Sequence, residues 1–251
     1  MTNIIFSPLE QFEVVSLASI NVLEFHLILT NLGLFAIILI VLSLGVHFLT
    51  YDQKLLMPTR WSLAMESTYA SLIGLVKEQI GSSKEGYFPL VYSLFAFILF
   101  SNLLGNVPYT FTVTTSAITS IGLSFTVFLG VTILAFWLHN VKFFSFFVPN
   151  GTPLMLVPLL VWIELISYLA RAFSLGVRLF SNMFSGHSLL AILSGFLYTG
   201  LTSSVLMFFV TLVPIALFVS LVALEIAVSF IQAYVFTVLT CNYLKDSLYL
   251  H

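Results

Sequence analysis

Long apolar runs that contain almost no charge are the feature that most constrains this chain. Only 7% of the 251 residues are charged, with 8 Lys and Arg and 10 Asp and Glu, whereas about a quarter of a soluble domain is charged. So few charged side chains cannot cover the surface of a water-soluble protein of this length. Because the runs are unbroken rather than alternating, they exclude a barrel of transmembrane strands and predict an all-α integral membrane protein.

The scarcity of basic residues and of cysteine excludes further classes of protein. A net charge of -2 provides no basic surface for a nucleic acid. Cys241 is the single cysteine, which excludes a disulfide framework and a cysteine metal site; we interpret it as a small buried apolar residue. We expect neither a cofactor nor a metal. Residues 1–26 contain three Glu but no Lys or Arg, unlike a cleaved targeting segment, so a chain found in an organelle is expected to have been made there.

The lengths of the apolar runs predict the membrane helices. Residues 27–49, 88–107 and 117–139 form uncharged runs long enough to cross about 30 Å of hydrocarbon. Residues 154–198 and 205–246 form two much longer runs, separated by the short polar turn TGLTSS. These two runs predict a long antiparallel helical hairpin.

An amphipathic segment precedes the second span. In residues 58–80 the apolar residues fall on one helical face and charged residues on the other, which predicts an interfacial helix that lies on the membrane. With about five spans, we interpret residues 27–251 as a single membrane domain and residues 1–26 as a segment outside it. If each long run crosses once, the basic residues outside the spans share one side of the membrane, so the N-terminus is predicted outside and the C-terminus inside.

Ionisable side chains interrupt the first long run at a helical spacing. Glu164, Arg171 and Arg178 follow one another at intervals of seven residues, which is close to two turns of an α-helix. They form one stripe, and Asn182 lies close to it. Because an ionisable group within a membrane is costly, such residues indicate a functional site by default.

A second stripe of polar residues, formed by Glu225, Gln232 and Asp246, lies along the second long run. One antiparallel register brings the polar residues of both runs together in three pairs, namely Glu164 with Asp246, Arg178 with Gln232, and His187 with Glu225. The position of the turn favours a somewhat different register, so the register stays open by about one turn.

The two outer pairs can carry protons, whereas the central one cannot. Carboxylates and histidine titrate near neutral pH in suitable surroundings, but arginine keeps its proton. The pattern therefore indicates two proton-capable sites separated by a fixed cation. Simpler readings stay open: Arg171 and Arg178 as structural charge partners, Gln232 as a helix–helix contact, and Glu164 reaching toward the interface.

The segment SYLARAFSLGVRLFSNMFSGHSLLAIL, residues 167–193, resembles the signature of subunit a of F-type ATP synthases. The residues that match are Arg178, Leu179, Asn182, Gly186 and His187. The segments SPLEQFE, GYFPLVYSLF, SNLLGNVPY, ALEIAVSFIQAYVFTVL and NYLKDSLYLH are similar to the mitochondrial, fungal form of the same family, in the same order. The resemblance covers nearly the whole chain.

The resemblance implies two steeply tilted helices against a rotating ring of c subunits. It implies that Arg178 faces the essential carboxylate of each c subunit, between two offset aqueous half-channels. His187 and Glu225 match the pair that takes up protons on the intermembrane-space side. The residues that match the matrix route are Glu164 and Asp246, and those that match polar support around the arginine are Asn182 and Gln232, with Arg171.

The resemblance also implies partners and a location. The partners would be the c-ring, other membrane and peripheral-stalk subunits, lipid and protons, in a multi-pass protein of the mitochondrial inner membrane. The first six residues would be removed. Since the chain contains no P-loop, it would be a non-catalytic proton-channel subunit, with ATP chemistry elsewhere in the complex. Two alternatives remain at this point: a secondary transporter or channel with a buried Arg/Glu relay, although no internal repeat is visible, and a purely structural subunit of a respiratory complex.

Overall fold

The structure, a computed structural model, describes residues 10–22, 25–50, 59–107, 110–140, 143, 156–203 and 205–249. Most of these residues are helical, and the prediction of an all-α membrane protein is confirmed. Six α-helices occur in the described ranges: α1 Asn31–Thr50, α2 Arg60–Gln79, α3 Phe88–Gly105, α4 Ala117–His139, α5 Val157–Ser203 and α6 Val205–Leu248.

A short antiparallel ribbon precedes the first helix, where the sequence predicted no strand. Strands β1, Ser16–Val22, and β2, Phe25–Thr30, pair with each other, so α1 begins at Asn31 rather than at residue 27. The Asn31 side chain fastens this junction. Its Nδ2 donates to the Glu13 carbonyl over 2.9 Å, and its Oδ1 accepts from the Val15 amide over 3.3 Å.

Five helices of the described chain are long and apolar enough to cross a membrane. Large apolar side chains on them face outward, as at Phe48 and Ile118, which are 81% and 85% exposed; a lipid environment favours this arrangement. Helices α5 and α6 contain 47 and 44 residues, about 70 and 66 Å of helix. A steep tilt of these helices stays a prediction.

Hydroxyl side chains on the outward faces of the helices bond to their own backbone. Each donates to a carbonyl three residues earlier in its helix, over 2.7 to 2.9 Å. Lipid provides no other partner for such a group, so this local bond satisfies it. Examples are Ser93, Thr126, Ser194 and Ser220.

The first compact unit contains the chain up to Gly45, then Phe97–Ser116 and Leu179–Gln232. It holds most of α1, the end of α3, and the parts of α5 and α6 nearest their connection. Here α5 and α6 run antiparallel: a Cβ at Gly186 would touch Glu225, and one at Gly200 would touch Thr211. The core of this unit includes Leu39, Ile98, Leu179 and Met183.

The second compact unit contains Val46–Ala96, Ala117–Arg178 and Ala233–His251. It holds α2, the start of α3, α4, the first part of α5 and the last part of α6. Its core packs the C-terminal half of α2 against other helices of the unit, which leaves Trp61 and Leu63 of α2 exposed. Cys241 is fully buried in this core, as its interpretation as an apolar residue required. The other core residues include Leu72, Val76, Val91, Val131 and Leu244.

Candidate functional site

In the first unit, His187 of α5 and Glu225 of α6 form a buried pair, which we call the uptake site after its predicted role. His187 Nδ1 lies 3.9 Å from Glu225 Oε2, and the two side chains are only 14% and 12% exposed. The structure therefore brings together the two residues that the sequence register paired. Direct proton transfer needs a donor–acceptor distance of about 2.6 to 3.2 Å, so this pair would have to approach more closely, or be bridged by one water molecule, to pass a proton.

Gly186 makes room for the Glu225 carboxylate. A Cβ at residue 186 would overlap Glu225 Oε1 and lie 3.0 Å from its Cδ, so only glycine lets the carboxylate lie directly against the α5 backbone. Gly186 belongs to the segment that resembles the family signature, but the sequence alone does not indicate this close contact. The glycine thus helps to set the position of Glu225.

Two further side chains contact His187, and sequence reasoning missed both. Thr112 Oγ1 lies 3.4 Å from His187 Nε2, and Gln11 Nε2 donates to the His187 carbonyl over 3.5 Å. Thr112 belongs to the threonine-rich connection after α3, and Gln11 lies before the ribbon. Nothing in their local sequence signals a contact with a residue so far along the chain.

A second set of side-chain contacts that the sequence did not predict lies at and just after the end of α3. Asn106 Nδ2 donates to Ser229 Oγ over 2.9 Å, and Ser229 Oγ donates to the Glu225 carbonyl over 2.8 Å. Thr114 Oγ1 donates to Asn102 Oδ1 over 2.9 Å. The signal was present in the segment SNLLGN, which places two asparagines four residues apart in an apolar run.

Asn182 and Gln232 also lie in the first unit. Asn182 is half-buried and lines a cavity of about 270 Å³ together with Gly186 and Glu225. Gln232 is buried, with 6% of its surface exposed. Their role as polar support stays a prediction.

In the second unit, Arg171 joins the two acids of the predicted matrix route, and we call these three residues the release site after that predicted role. Arg171 Nη2 lies 3.2 Å from Glu164 Oε1, and Nη1 lies 3.4 Å from Asp246 Oδ2. Because the guanidinium lies between them, the two acids meet through Arg171 rather than side by side. The three side chains are 32 to 36% exposed, so this site is more open than the uptake site.

Arg178 is one of the residues that line a cleft of about 670 Å³ in the same unit. Its side chain is exposed, and among the residues that the structure describes it makes no ion pair. Three cations and one acid line the cleft, so the local charge is positive. These residues are Arg171, Arg178, Lys245 and Asp246.

Helices α4 and α5 cross closely at Gly176, on the side of α5 opposite to Arg178. A Cβ at Gly176 would lie 2.9 Å from Ile121 Cα and 3.1 Å from the Ser120 carbonyl oxygen, and it would overlap Ser124 Oγ. Residues 176 and 178 point to roughly opposite sides of a helix. The contact with α4 therefore fixes how far Arg178 projects on the other side.

Comparisons with known proteins agree along the whole chain. The sequence model of the ATP synthase A chain family matches residues 32–245. The chain is 61% identical to "ATP synthase subunit a" of Mycosarcoma maydis over 254 residues, which cover 100% of both proteins. It is 50% identical to that of Emericella nidulans, covering 99% of this chain and 98% of the relative. It is 46% identical to that of Marchantia polymorpha, covering 98% and 99%.

Proposed function

The chain belongs to the ATP synthase A chain family, and we propose that it carries protons across the membrane through the two sites described above. Members of this family are the proton-translocating membrane subunit of ATP synthase. The chain is accordingly a multi-pass protein of the inner membrane that assembles with other ATP synthase subunits. The partner that takes the protons is a rotating ring of c subunits, each with one carboxylate.

The observation that carries this proposal is the division of acid–base groups between the two units. The first unit holds the buried pair His187 and Glu225, and the second holds two carboxylates bound to Arg171. Helices α5 and α6 provide the acid–base groups of both sites. Acid–base groups in each of the two units suit a carrier that takes up a proton at one group and gives it up at the other.

The proposed path begins at the uptake site. A proton passes His187 and Glu225 and neutralises a ring carboxylate, which can then enter lipid, where an ionised group would be costly. After rotation, that carboxylate gives up its proton at the release site. The proton then leaves past Glu164 and Asp246. Each proton that crosses 100 mV supplies roughly 2.3 kcal/mol, so several are needed for each ATP.

Arg178 supplies the fixed cation of this mechanism. It is exposed and has no internal ion pair within the described residues, so its guanidinium is free to attract a newly ionised carboxylate on the ring. Because arginine keeps its proton, it cannot pass one between the two sites. Asn182 and Gln232 provide polar support for this mechanism. The N-terminus lies in the intermembrane space and the C-terminus in the matrix.

Substitution of Arg178 tests the proposal. The complex with Arg178→Ala should assemble but make no ATP in reconstituted vesicles that carry a proton gradient. Arg178→Lys should fail as well, because a lysine lacks the planar guanidinium and can lose its proton when desolvated. Arg60→Ala, at the exposed start of α2, is the matched control and should retain synthesis. Normal synthesis with Ala at residue 178 would refute the mechanism.

A further inference from the structure

The last residue of α4 contacts the last turn of α6 in the second unit. His139 Nε2 lies 3.1 Å from the Ser247 carbonyl oxygen. Because a carbonyl can only accept a hydrogen bond, the His139 ring donates its Nε2–H to it. Ser247 is buried, with 5% of its surface exposed, and it directly follows Asp246 of the release site. The bond therefore holds the backbone next to an acid of the proposed matrix route.

The Ser247 carbonyl belongs to the end of a helix, where a partner from outside the helix has most effect. Helix α6 ends at Leu248, and the carbonyls of the last turn of a helix have no helical amide ahead of them. A side chain that donates to such a carbonyl keeps the last turn from fraying. Here the donor comes from a neighbouring helix, so the bond also fixes where the turn lies relative to α4.

Helix α4 can hold this position because its own end is anchored at His139. The next residue, Asn140, has a φ of 47°, in the left-handed region that commonly ends a helix. One turn before His139, Ala135 is buried in a cluster with Phe143, and Tyr168 of α5 packs against that cluster. The His139 ring is therefore attached to a helix end that packing and backbone conformation both fix.

Two turns before His139, α4 also holds the other helix of the release site. Thr132 Oγ1 lies 3.1 Å from the Tyr168 hydroxyl oxygen. The Thr132 hydroxyl donates its one hydrogen to the Phe128 carbonyl over 2.6 Å, so the Tyr168 hydroxyl donates to Thr132. The rings of Phe128 and Tyr168 pack with their centroids 4.8 Å apart. Since Arg171 follows Tyr168 by about one turn of α5, α4 fixes α5 close to the arginine of the release site.

The distance between these two anchored points sets the ion pair between Arg171 and Asp246. Arg171 Nη1 lies 3.4 Å from Asp246 Oδ2, whereas a strong hydrogen bond between charged groups measures about 2.7 to 2.9 Å. A movement of about 0.6 Å would take the pair to the limit of roughly 4 Å for an ion pair. Contact between Arg171 and Asp246 therefore depends on a small displacement of the end of α6.

We propose that His139 is a positioning residue of the release site, which holds Asp246 against Arg171 by fixing the last turn of α6. The inference rests on the proposed function, since it explains how the release site keeps its geometry while protons leave past Glu164 and Asp246. His139 itself neither gains nor loses a proton in this role, because the neutral ring with its hydrogen on Nε2 already makes the bond. Without that bond the last turn of α6 frays, and Asp246 moves out of reach of Arg171.

Substitutions of His139 separate this role from simple packing. His139→Ala removes the donor, whereas His139→Gln keeps an amide N–H at nearly the reach of Nε2. His139→Asn keeps the same amide but is shorter than Gln by a methylene, so it cannot reach the Ser247 carbonyl. The matched control is Leu138→Ala, which truncates a neighbouring side chain that is 42% exposed.

The measurement is the initial rate of ATP synthesis by intact complexes in vesicles at a fixed proton gradient, divided by the assembled amount. A displacement of about 1 Å at a reacting group can cost a hundredfold in rate, and the displacement expected here is about half of that. His139→Ala and His139→Asn should therefore slow synthesis roughly tenfold. His139→Gln and Leu138→Ala should stay within about twofold of the wild type, because the first keeps the bond and the second does not touch it.

A double-mutant cycle shows whether His139 acts through Asp246. Asp246→Asn should slow synthesis by itself, and His139→Ala added to it should slow synthesis by less than about twofold further, because the positioned carboxylate is already gone. If the Ala variant fails to assemble, His139→Asn takes its place in the cycle.

Three results would overturn the role of His139. They are a rate equal to the wild type for His139→Ala or for Asp246→Asn, equal rates for the Gln and Asn variants, and a further tenfold loss in the double mutant. Arg178→Ala, measured in the same series, tests the proposed function separately. Synthesis in that variant would refute the proposed function, whereas a fully additive cycle with Arg178→Ala inactive would refute only the role of His139.

Discussion

Replacing Gly176 by alanine should displace the helix that carries Arg178. The new methyl group would lie 2.9 Å from Ile121 Cα and 3.1 Å from the Ser120 carbonyl oxygen, whereas ordinary contact begins near 3.4 Å. Both neighbours are backbone atoms of α4, which cannot turn aside as a flexible side chain can. Helix α5 must therefore move away from α4 by roughly half an ångström, in the direction in which Arg178 projects.

The expected change in the free energy of unfolding has two contributions. Overfilling a close contact costs typically about 1 to 3 kcal/mol, partly offset by a gain of about 1 kcal/mol because alanine favours a helix more than glycine does. Activity should fall more than stability. A displacement of about 1 Å at a reacting group can cost a hundredfold in rate, so half of that displacement should slow ATP synthesis roughly tenfold.

Two glycines on the same helices provide matched controls. Gly195 of α5 and Gly130 of α4 have no atom within 4 Å of an added methyl group, so alanine there gains helix propensity without a collision. The assay is proton-driven ATP synthesis per assembled complex, with the three variants purified in parallel. Equal rates for Gly176→Ala and Gly195→Ala would refute the argument that the α4 contact fixes the position of Arg178.

The remaining predictions concern the two sites and the helix register. His187→Ala and Glu225→Gln should each slow proton uptake, and in a double-mutant cycle their effects should be strongly non-additive; additive effects on the synthesis rate would mean that the two residues act separately. Arg171→Gln should change stability by less than about 1 kcal/mol, because the side chain and its acidic partners are about a third exposed, yet it should slow proton release measured in vesicles; a release rate equal to the wild type would contradict the bridging role. Cysteines at Ser174 and Phe236, with the native cysteine replaced, should crosslink if their Cα atoms lie within about 7 Å, and failure to crosslink would exclude the register inferred from the sequence.

The membrane helices, and the residues proposed for the two sites, could be predicted from the sequence because each depends on a periodic pattern along the chain. Apolar runs of sufficient length give spans without further information. A stripe of ionisable residues at intervals of seven needs only helix geometry. The proximity of His187 and Glu225 followed from one assumed register, and the structure brings these residues together.

The features that could not be predicted from the sequence depend on contacts between segments far apart in the chain, or on how closely two helices approach each other. Gln11 and Thr112 contact His187 from segments with no period of their own. The spaces beside Gly176 and Gly186 depend on how closely helices approach, and no pattern of side chains reports that distance. Arg171 was predicted as support, but its position between two carboxylates depends on side-chain conformation rather than on spacing.

The exposed guanidinium of Arg178 also affects the stability of the subunit in the membrane before it joins the complex. A charged side chain on a membrane helix costs about 2.5 to 3.5 kcal/mol when no partner neutralises it, and within the described residues Arg178 makes no ion pair. A newly inserted, solitary subunit therefore carries a penalty that docking against an acidic neighbour removes. If Arg178 acts as proposed, the unassembled subunit should therefore be less stable in the membrane than the assembled one.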